Sequence, residues 1–280
     1  MSEENRPAIL GGTPAVTEDY QLANQWPQLT SEDETAVLRV MRDGDLTTHP
    51  EIRELEKDYA HFVNRRYALA HNNGTSALLA SFFALDLKPG DEVLVPTGTF
   101  WASVLPMLWL GVVPVFCESE EERLGLCPND LEKKITDKTK AIVVVHLWGM
   151  PCKMTEIFEI AKKYKLKIVE DASHSHGAKW RGKEGCMIEA PRYPLLHEQP
   201  FFTEGHFAQI ARLPSETKIP TYNPDDFSKT RKINAYLLKL PAFSSAGKKI
   251  IDQYLLAFEK VVQNSREIAK ISEKNMGGVI

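Results

Sequence analysis

The sequence predicts an α/β fold built around a mostly parallel sheet, and three observations carry that reading. Between residues 67 and 171, short apolar segments rich in Val, Ile and Leu alternate with helical segments, as in a parallel sheet with helices on both faces. The 280 residues are 43% hydrophobic and 26% charged, ordinary globular composition with ample material for a core. After Cys186 the texture changes abruptly to a stretch rich in prolines and aromatics with little periodicity. That shift puts a domain boundary near Gly185 and divides the chain into residues 1–185 and 186–280.

Taken in order, residues 30–63 read as helical. Thr30-Ser31-Glu32-Asp33-Glu34 offers a capping-box start, and Val37, Leu38 and Met41 follow at helical spacing. A loop at residues 44–50, marked by its Gly and Pro, leads to a second helix at about 51–62 with Ile52, Leu55, Tyr59 and Phe62 on one face. Strands are expected at residues 67–71, 92–95, 112–116, 141–147 and 167–171. The intervening helices fall at 76–87, 99–110, 128–135 and 155–164, and an amphipathic helix returns only at 247–263. There is no internal repeat.

Composition narrows the function. A net charge of −4 and a pI near 6.1 give no electrostatic reason to expect nucleic acid or an anionic membrane, which call for a clustered basic surface, so small molecules are the expected ligands. Cys117, Cys127, Cys152 and Cys186 form no C-x-x-C pair, which speaks against a zinc ribbon, a redox dithiol or a disulfide framework. His174-Ser175-His176 with His146 and His71 could supply imidazoles, but no Cys or carboxylate falls at a recurrent zinc spacing around them. Residues 1–6 are polar without an apolar leader core, and the apolar run at 104–117 is broken by Pro106 and Pro114 and too short to span a bilayer. A cytoplasmic protein is expected.

In open α/β sheets, ligands collect at the carboxyl ends of the strands, and three segments there carry candidate chemistry. Gly74, Thr75 and Ser76 lie between a strand and a helix, where free N–H groups and two hydroxyls could hold a phosphate; an ordinary Asn/Gly turn with an N-cap is the alternative. Asp171 ends the strand at 167–171. A carboxylate there can keep a pyridine nitrogen protonated, the central requirement of pyridoxal-phosphate chemistry. His174 could hydrogen-bond the cofactor's phenolic oxygen, or be a loop histidine satisfied by backbone. Phe100, at another strand's end, could stack on a planar ring or be a core aromatic; for Trp101 the core reading is preferred.

Together these segments resemble the DegT/DnrJ/StrS family of pyridoxal-phosphate-dependent sugar aminotransferases, especially the branch acting on keto-inositols and aminohydroxybenzoate precursors. The resemblance rests on Leu10-Gly11-Gly12-Thr13-Pro14, Gly74-Thr75-Ser76-Ala77-Leu78, residues 96–103, Val145-His146-Leu147-Trp148-Gly149 and Asp171-Ala172-Ser173-His174-Ser175-His176-Gly177-Ala178. It runs from about residue 8 to 185 and resumes at 193–197 and 238–243. It implies an incomplete aspartate-aminotransferase-like large domain of fold type I, followed by the remnant of a small α+β domain. It also implies pyridoxal 5'-phosphate as cofactor, held by Gly74, Thr75, Ser76, Phe100, Asp171 and His174. The reaction it implies is amino transfer from glutamate or glutamine to a keto-sugar or keto-cyclitol, and the assembly it implies is a homodimer or a heterodimer with a paralogue.

The resemblance also exposes a gap. A Ser-x-x-Lys segment, whose lysine bonds the cofactor, belongs between Gly185 and about Arg192, yet no lysine occurs from Glu184 through Thr217. Roughly a hundred residues, a small domain's worth, are expected to be missing there. No catalytic residue is therefore assigned; Lys179 and Lys183 read as surface charge in a polar turn. The gap should leave residues 67–71 without a strand partner and displace the phosphate turn from Asp171. An impaired enzyme, a noncatalytic partner of a full-length paralogue and a nonfunctional truncated product are the three readings that follow.

Overall fold

Four parallel strands form the sheet: β1 (Glu92–Pro96), β2 (Val113–Cys117), β3 (Thr139–Val145) and β4 (Lys167–Asp171), in the order β2-β1-β3-β4. The computed structural model describes residues 5–19, 27–176, 195–204, 207–211, 213–214, 216–236 and 247–276. β1 pairs with β2 from Glu92↔Val113 to Pro96↔Cys117, and β3 with β4 from Ala141↔Lys167 to Val145↔Asp171. That second register brings the carboxyl ends of β3 and β4 level, and it puts the Val145 and Asp171 side chains on the same face of the sheet.

The helices, in chain order, are α1 (Ser31–Asp43), α2 (Pro50–Phe62), α3 (Gly74–Ala84), α4 (Leu105–Leu108), α5 (Pro128–Lys133), α6 (Met154–Tyr164), α7 (Pro200–Thr203), α8 (Phe207–Ala211), α9 (Ser228–Tyr236), α10 (Lys248–Gln263) and α11 (Ser265–Met276). Each strand-to-strand connection carries a helical segment, as parallel pairing requires. Side-chain alternation splits the strands between two cores. Val93, Val95, Val143, Val145 and Val169 pack on one face with Phe82 of α3, Met107 and Leu108 of α4, and Phe116. Leu94, Ile142 and Val144 pack on the other with Leu131 of α5 and Ile157 and Ile160 of α6. Burial on both faces is why these strands read as apolar runs.

The chain divides into two compact units, residues 43–239 and residues 1–42 with 240–280. This division differs from the one expected at Gly185. Leu196, Phe202, Phe207 and Phe227 all lie beyond that point in sequence, yet they are buried in the same core as β1 and β3. Large aromatic area has nowhere cheaper to go. The returning chain is pinned by backbone as well: Leu196 N–H donates to the Thr97 carbonyl at 3.1 Å. Glu118, just past β2, accepts from the Thr230 N–H at 2.8 Å and the Lys229 N–H at 3.1 Å, satisfying free donors at the start of α9. In the other unit, Gln253 Oε1 of α10 accepts from the N–H groups of Thr17 and Glu18 at 3.0 and 3.1 Å.

Several sequence expectations change in detail. The capping box of α1 forms between Thr30 and Asp33: Asp33 N–H donates to Thr30 Oγ1 at 3.3 Å and Thr30 N–H to Asp33 Oδ2 at 2.7 Å. The helix expected at 99–110 is a 3-10 turn, Trp101–Ser103, followed by the short α4, whose first turn holds Pro106 where its missing N–H is harmless. Residues 67–71 form no strand; Tyr67 and Leu69 are 75% and 72% exposed. β-propensity without a neighbouring ladder does not make a strand. The apolar side chains of α2, among them Ile52, Leu55 and Phe62, are exposed, and Ala60 is its buried residue. No described helix is long and apolar enough to cross a membrane. The expected features at 177–194 and 237–246 lie outside the described residues.

Candidate functional site

An open cavity of about 480 Å³ sits where β4 ends, walled by α3, by the turn after β1 and by residues 170–176. Gly74, Thr75, Phe100, Asp171 and His174 line it, so five of the six residues picked from sequence converge on one space. The sixth, Ser76, is not among the lining residues. Its N–H donates to the Asn73 side chain at 2.9 Å, because α3 starts at Gly74 and Asn73 is the N-cap. The expected displacement of the phosphate turn from Asp171 is not found, since Gly74 and Thr75 share the cavity with it.

Each wall has a local cause. Asn73 is extended, with φ −166° and ψ 166°, and turns the chain into α3. Among the described residues no partner takes the backbone N–H groups of Gly74 and Thr75, and a Cβ added at Gly74 would meet nothing within 4 Å. Two first-turn donors thus face open space, the chemistry that holds an anion. Phe100 is 51% exposed at the cavity rim, which rules out the core-aromatic alternative for it; Trp101 packs against Phe201 and Phe202, as its core reading predicts.

Asp171 is buried. Its Oδ2 accepts from the Ser103 hydroxyl at 2.7 Å, and its Oδ1 from the Ser173 N–H at 3.1 Å and the Ser173 hydroxyl. Behind Ser103, Thr99 Oγ1 lies 2.9 Å from Ser103 Oγ. His174 accepts at Nδ1 from the Trp148 N–H at 3.3 Å, which leaves the ring hydrogen on Nε2. Burial pushes its pKa below the ordinary 6.5, against the opposing pull of Asp171, so the imidazole is neutral at pH 7. At the mouth, Tyr59 OH and His176 Nδ1 are 2.8 Å apart, and burial raises the phenol's pKa. His146 Nε2 pairs at 3.2 Å with Oε2 of Glu170, itself a lining residue of the cavity.

The cavity also takes in Tyr59, Thr99, Ser103, Ser173 and His176, which no motif in the sequence marks one by one as site residues. The last four fall inside the segments 96–103 and 171–178, and Tyr59 reads as one more apolar position on α2. The donor set fits the noncovalent contacts of a phosphorylated pyridine: a buried carboxylate, free helix-start donors and an exposed ring. Among the described residues, none that lines the cavity is a lysine. Lys179 and Lys183 lie outside the described residues.

Residues 27–191 match the DegT/DnrJ/EryC1/StrS aminotransferase family. The chain is 37% identical over 171 residues to a UDP-2-acetamido-2-deoxy-3-oxo-D-glucuronate aminotransferase of Pseudomonas aeruginosa, covering 61% of this chain and 48% of that protein. It is 40% identical over 152 residues to a dTDP-3-amino-3,6-dideoxy-alpha-D-galactopyranose transaminase of Aneurinibacillus thermoaerophilus, covering 54% and 42%. The solved structure of S. venezuelae DesV in complex with a ketimine intermediate superposes with a TM-score of 0.55 at 30% identity, covering 80% of this chain and 66% of that one. The chain spans less than half the length of these curated relatives. With the family match covering more than half of its residues, the chain belongs to the DegT/DnrJ/EryC1/StrS aminotransferase family.

Proposed function

We propose that this chain carries the cofactor cavity of a sugar or cyclitol aminotransferase, binds pyridoxal 5'-phosphate without a covalent bond, and is severely impaired in amino transfer by itself. One observation carries the reading: Gly74, Thr75, Phe100, Asp171 and His174 line a single cavity whose described lining holds no lysine. Gly74 and Thr75 take the phosphate on free N–H groups and Thr75 adds its hydroxyl, Asp171 takes the ring nitrogen, Phe100 covers the ring and the neutral His174 donates to the phenolic oxygen. When bound, the cofactor supplies the electron sink that amino transfer needs. By analogy with the relatives, the substrates of the intact enzyme are a keto-sugar or keto-cyclitol and an amino-acid donor. A cytoplasmic location and an internal loss near residues 185–192 belong to the same reading.

The same lysine-free lining favours a second reading, a noncatalytic subunit paired with a full-length paralogue. The apolar side chains exposed along α2 suit such a partner.

Equilibrium binding of pyridoxal phosphate to the purified chain, to Asp171→Ala and to Thr75→Ala tests the site. Each substitution should weaken binding by about tenfold, the worth of one charge-assisted hydrogen bond. Equal affinities in all three proteins would remove the cavity as the cofactor site. Borohydride treatment followed by peptide mapping should find no attached cofactor; a stoichiometric adduct at Lys179 or Lys183, with turnover, would overturn the impaired reading.

A further inference from the structure

Asp171 has four acceptor positions on its carboxylate, two per oxygen. On Oδ1 both are taken, by the N–H and the hydroxyl of Ser173. On Oδ2 one is taken by the Ser103 hydroxyl, 2.7 Å away. The single remaining acceptor position is therefore on Oδ2, the oxygen that Ser103 holds. Ser103 has one hydroxyl hydrogen, and it points at Asp171; the 2.9 Å contact with Thr99 is then a donation from the Thr99 hydroxyl to Ser103 Oγ. Thr99 and Ser103 are each 1% exposed and Asp171 7%, so water does not compete for these bonds. All three line the cavity. The relay is built by the 3-10 turn Trp101–Ser103, which brings Ser103 back over Thr99 and against the end of β4.

We propose that Ser103, backed by Thr99, is a positioning residue for Asp171: the hydroxyl relay aims the one free acceptor position of Oδ2 into the cavity, where it receives a protonated ring nitrogen. This rests on the cofactor reading of the site. Without Ser103 the carboxylate is held through Oδ1 alone, by Ser173, and the lone pairs of Oδ2 are no longer fixed in direction. With its one hydroxyl hydrogen on Asp171, Ser103 has none to give the ligand. Its effect must pass through the ring nitrogen, and that distinguishes it from general support of the fold.

The test compares two probes, pyridoxamine 5'-phosphate and its deaza analogue, in which the ring nitrogen is replaced by C–H. Binding of each is measured by equilibrium dialysis to the full chain, Ser103→Ala and Thr99→Val, with circular dichroism to establish folding. The full chain should prefer the nitrogen-bearing probe. That preference should fall about tenfold in Ser103→Ala and about threefold in Thr99→Val, while affinity for the deaza probe stays within about twofold. Thr99→Ser, which keeps the hydroxyl, should restore the preference. A strong preference in the full chain that survives both substitutions overturns the role of Ser103 and leaves the cofactor reading standing. No preference in the full chain, or no binding of either probe, overturns the cofactor reading and this inference with it. Where Ser103→Ala does not fold, the near-isosteric Thr99→Val decides alone, and an unchanged preference there overturns the relay.

Discussion

Trp148 adopts φ 54° and ψ 31°, and from that backbone its N–H reaches Nδ1 of His174 at 3.3 Å. A left-handed conformation costs a bulky residue roughly 1–2 kcal/mol, yet here it sets which nitrogen of a cavity imidazole carries the hydrogen. The same burial that pushes the His174 pKa down ties its protonation to stability. Its folded value lies below the ordinary 6.5, so the unfolded chain binds the proton more readily. The contribution of His174 is present above about pH 6.5 and is lost as pH falls through the lower folded value. An NMR titration of the His174 ring should therefore give a midpoint below that of a free histidine. A midpoint above it would mean that the ring is charged at neutral pH and that Trp148 does not donate to it.

At the scale of elements, α3 shows what local sequence can specify. Asn73 caps it through the Ser76 N–H, and Asn73→Ala should cost about 1 kcal/mol in a denaturant melt. Unchanged stability would mean that the helix start is held by tertiary packing instead. The cap also explains which site residues were legible. Gly74, Thr75, Asp171 and Phe100 stand at strand ends or a helix start, positions that a pattern of apolar runs and turn residues marks. Ser76 does not line the cavity and its N–H is taken by the side chain of Asn73, a choice between neighbouring donors that the sequence leaves open. Tyr59 and Ser103 reach the cavity only through tertiary placement of α2 and the turn after β1. The strands at 92–96, 113–117, 139–145 and 167–171 were legible within two residues because burial on both faces makes each an apolar run. Residues 67–71 have comparable propensity and no strand, since pairing is a property of neighbours.

Across the whole molecule, the outer edge of β4 pairs with no strand among the described residues. It follows β3 in an apolar sheet, and an unpaired edge of this kind is a template for another chain. Exposed apolar side chains on α1 (Val37, Met41) and α2 (Leu55, Phe62) add surface that water disfavours. Freshly purified protein should therefore scatter light as a dimer or larger species, with fast amide hydrogen exchange across residues 167–171. A stable, monodisperse monomer with strong protection there would mean that the edge is closed, and the account of a lost strand neighbour would fall with it.

The order β2-β1-β3-β4 has a bearing on how the chain is made. Of the four described strands the earliest in sequence, β1, is central, and each later one finds an open edge waiting: β2 on one side of β1, β3 on the other, β4 beyond β3. None of these four strands must be inserted between two that are already paired, so this part of the sheet can grow in the direction of synthesis. Asp171, Ser173 and His174 emerge last among the residues of this sheet and its final turn. The cavity thus closes only when the end of β4 reaches Ser103, and Ser103 has by then been waiting since the turn after β1 was made.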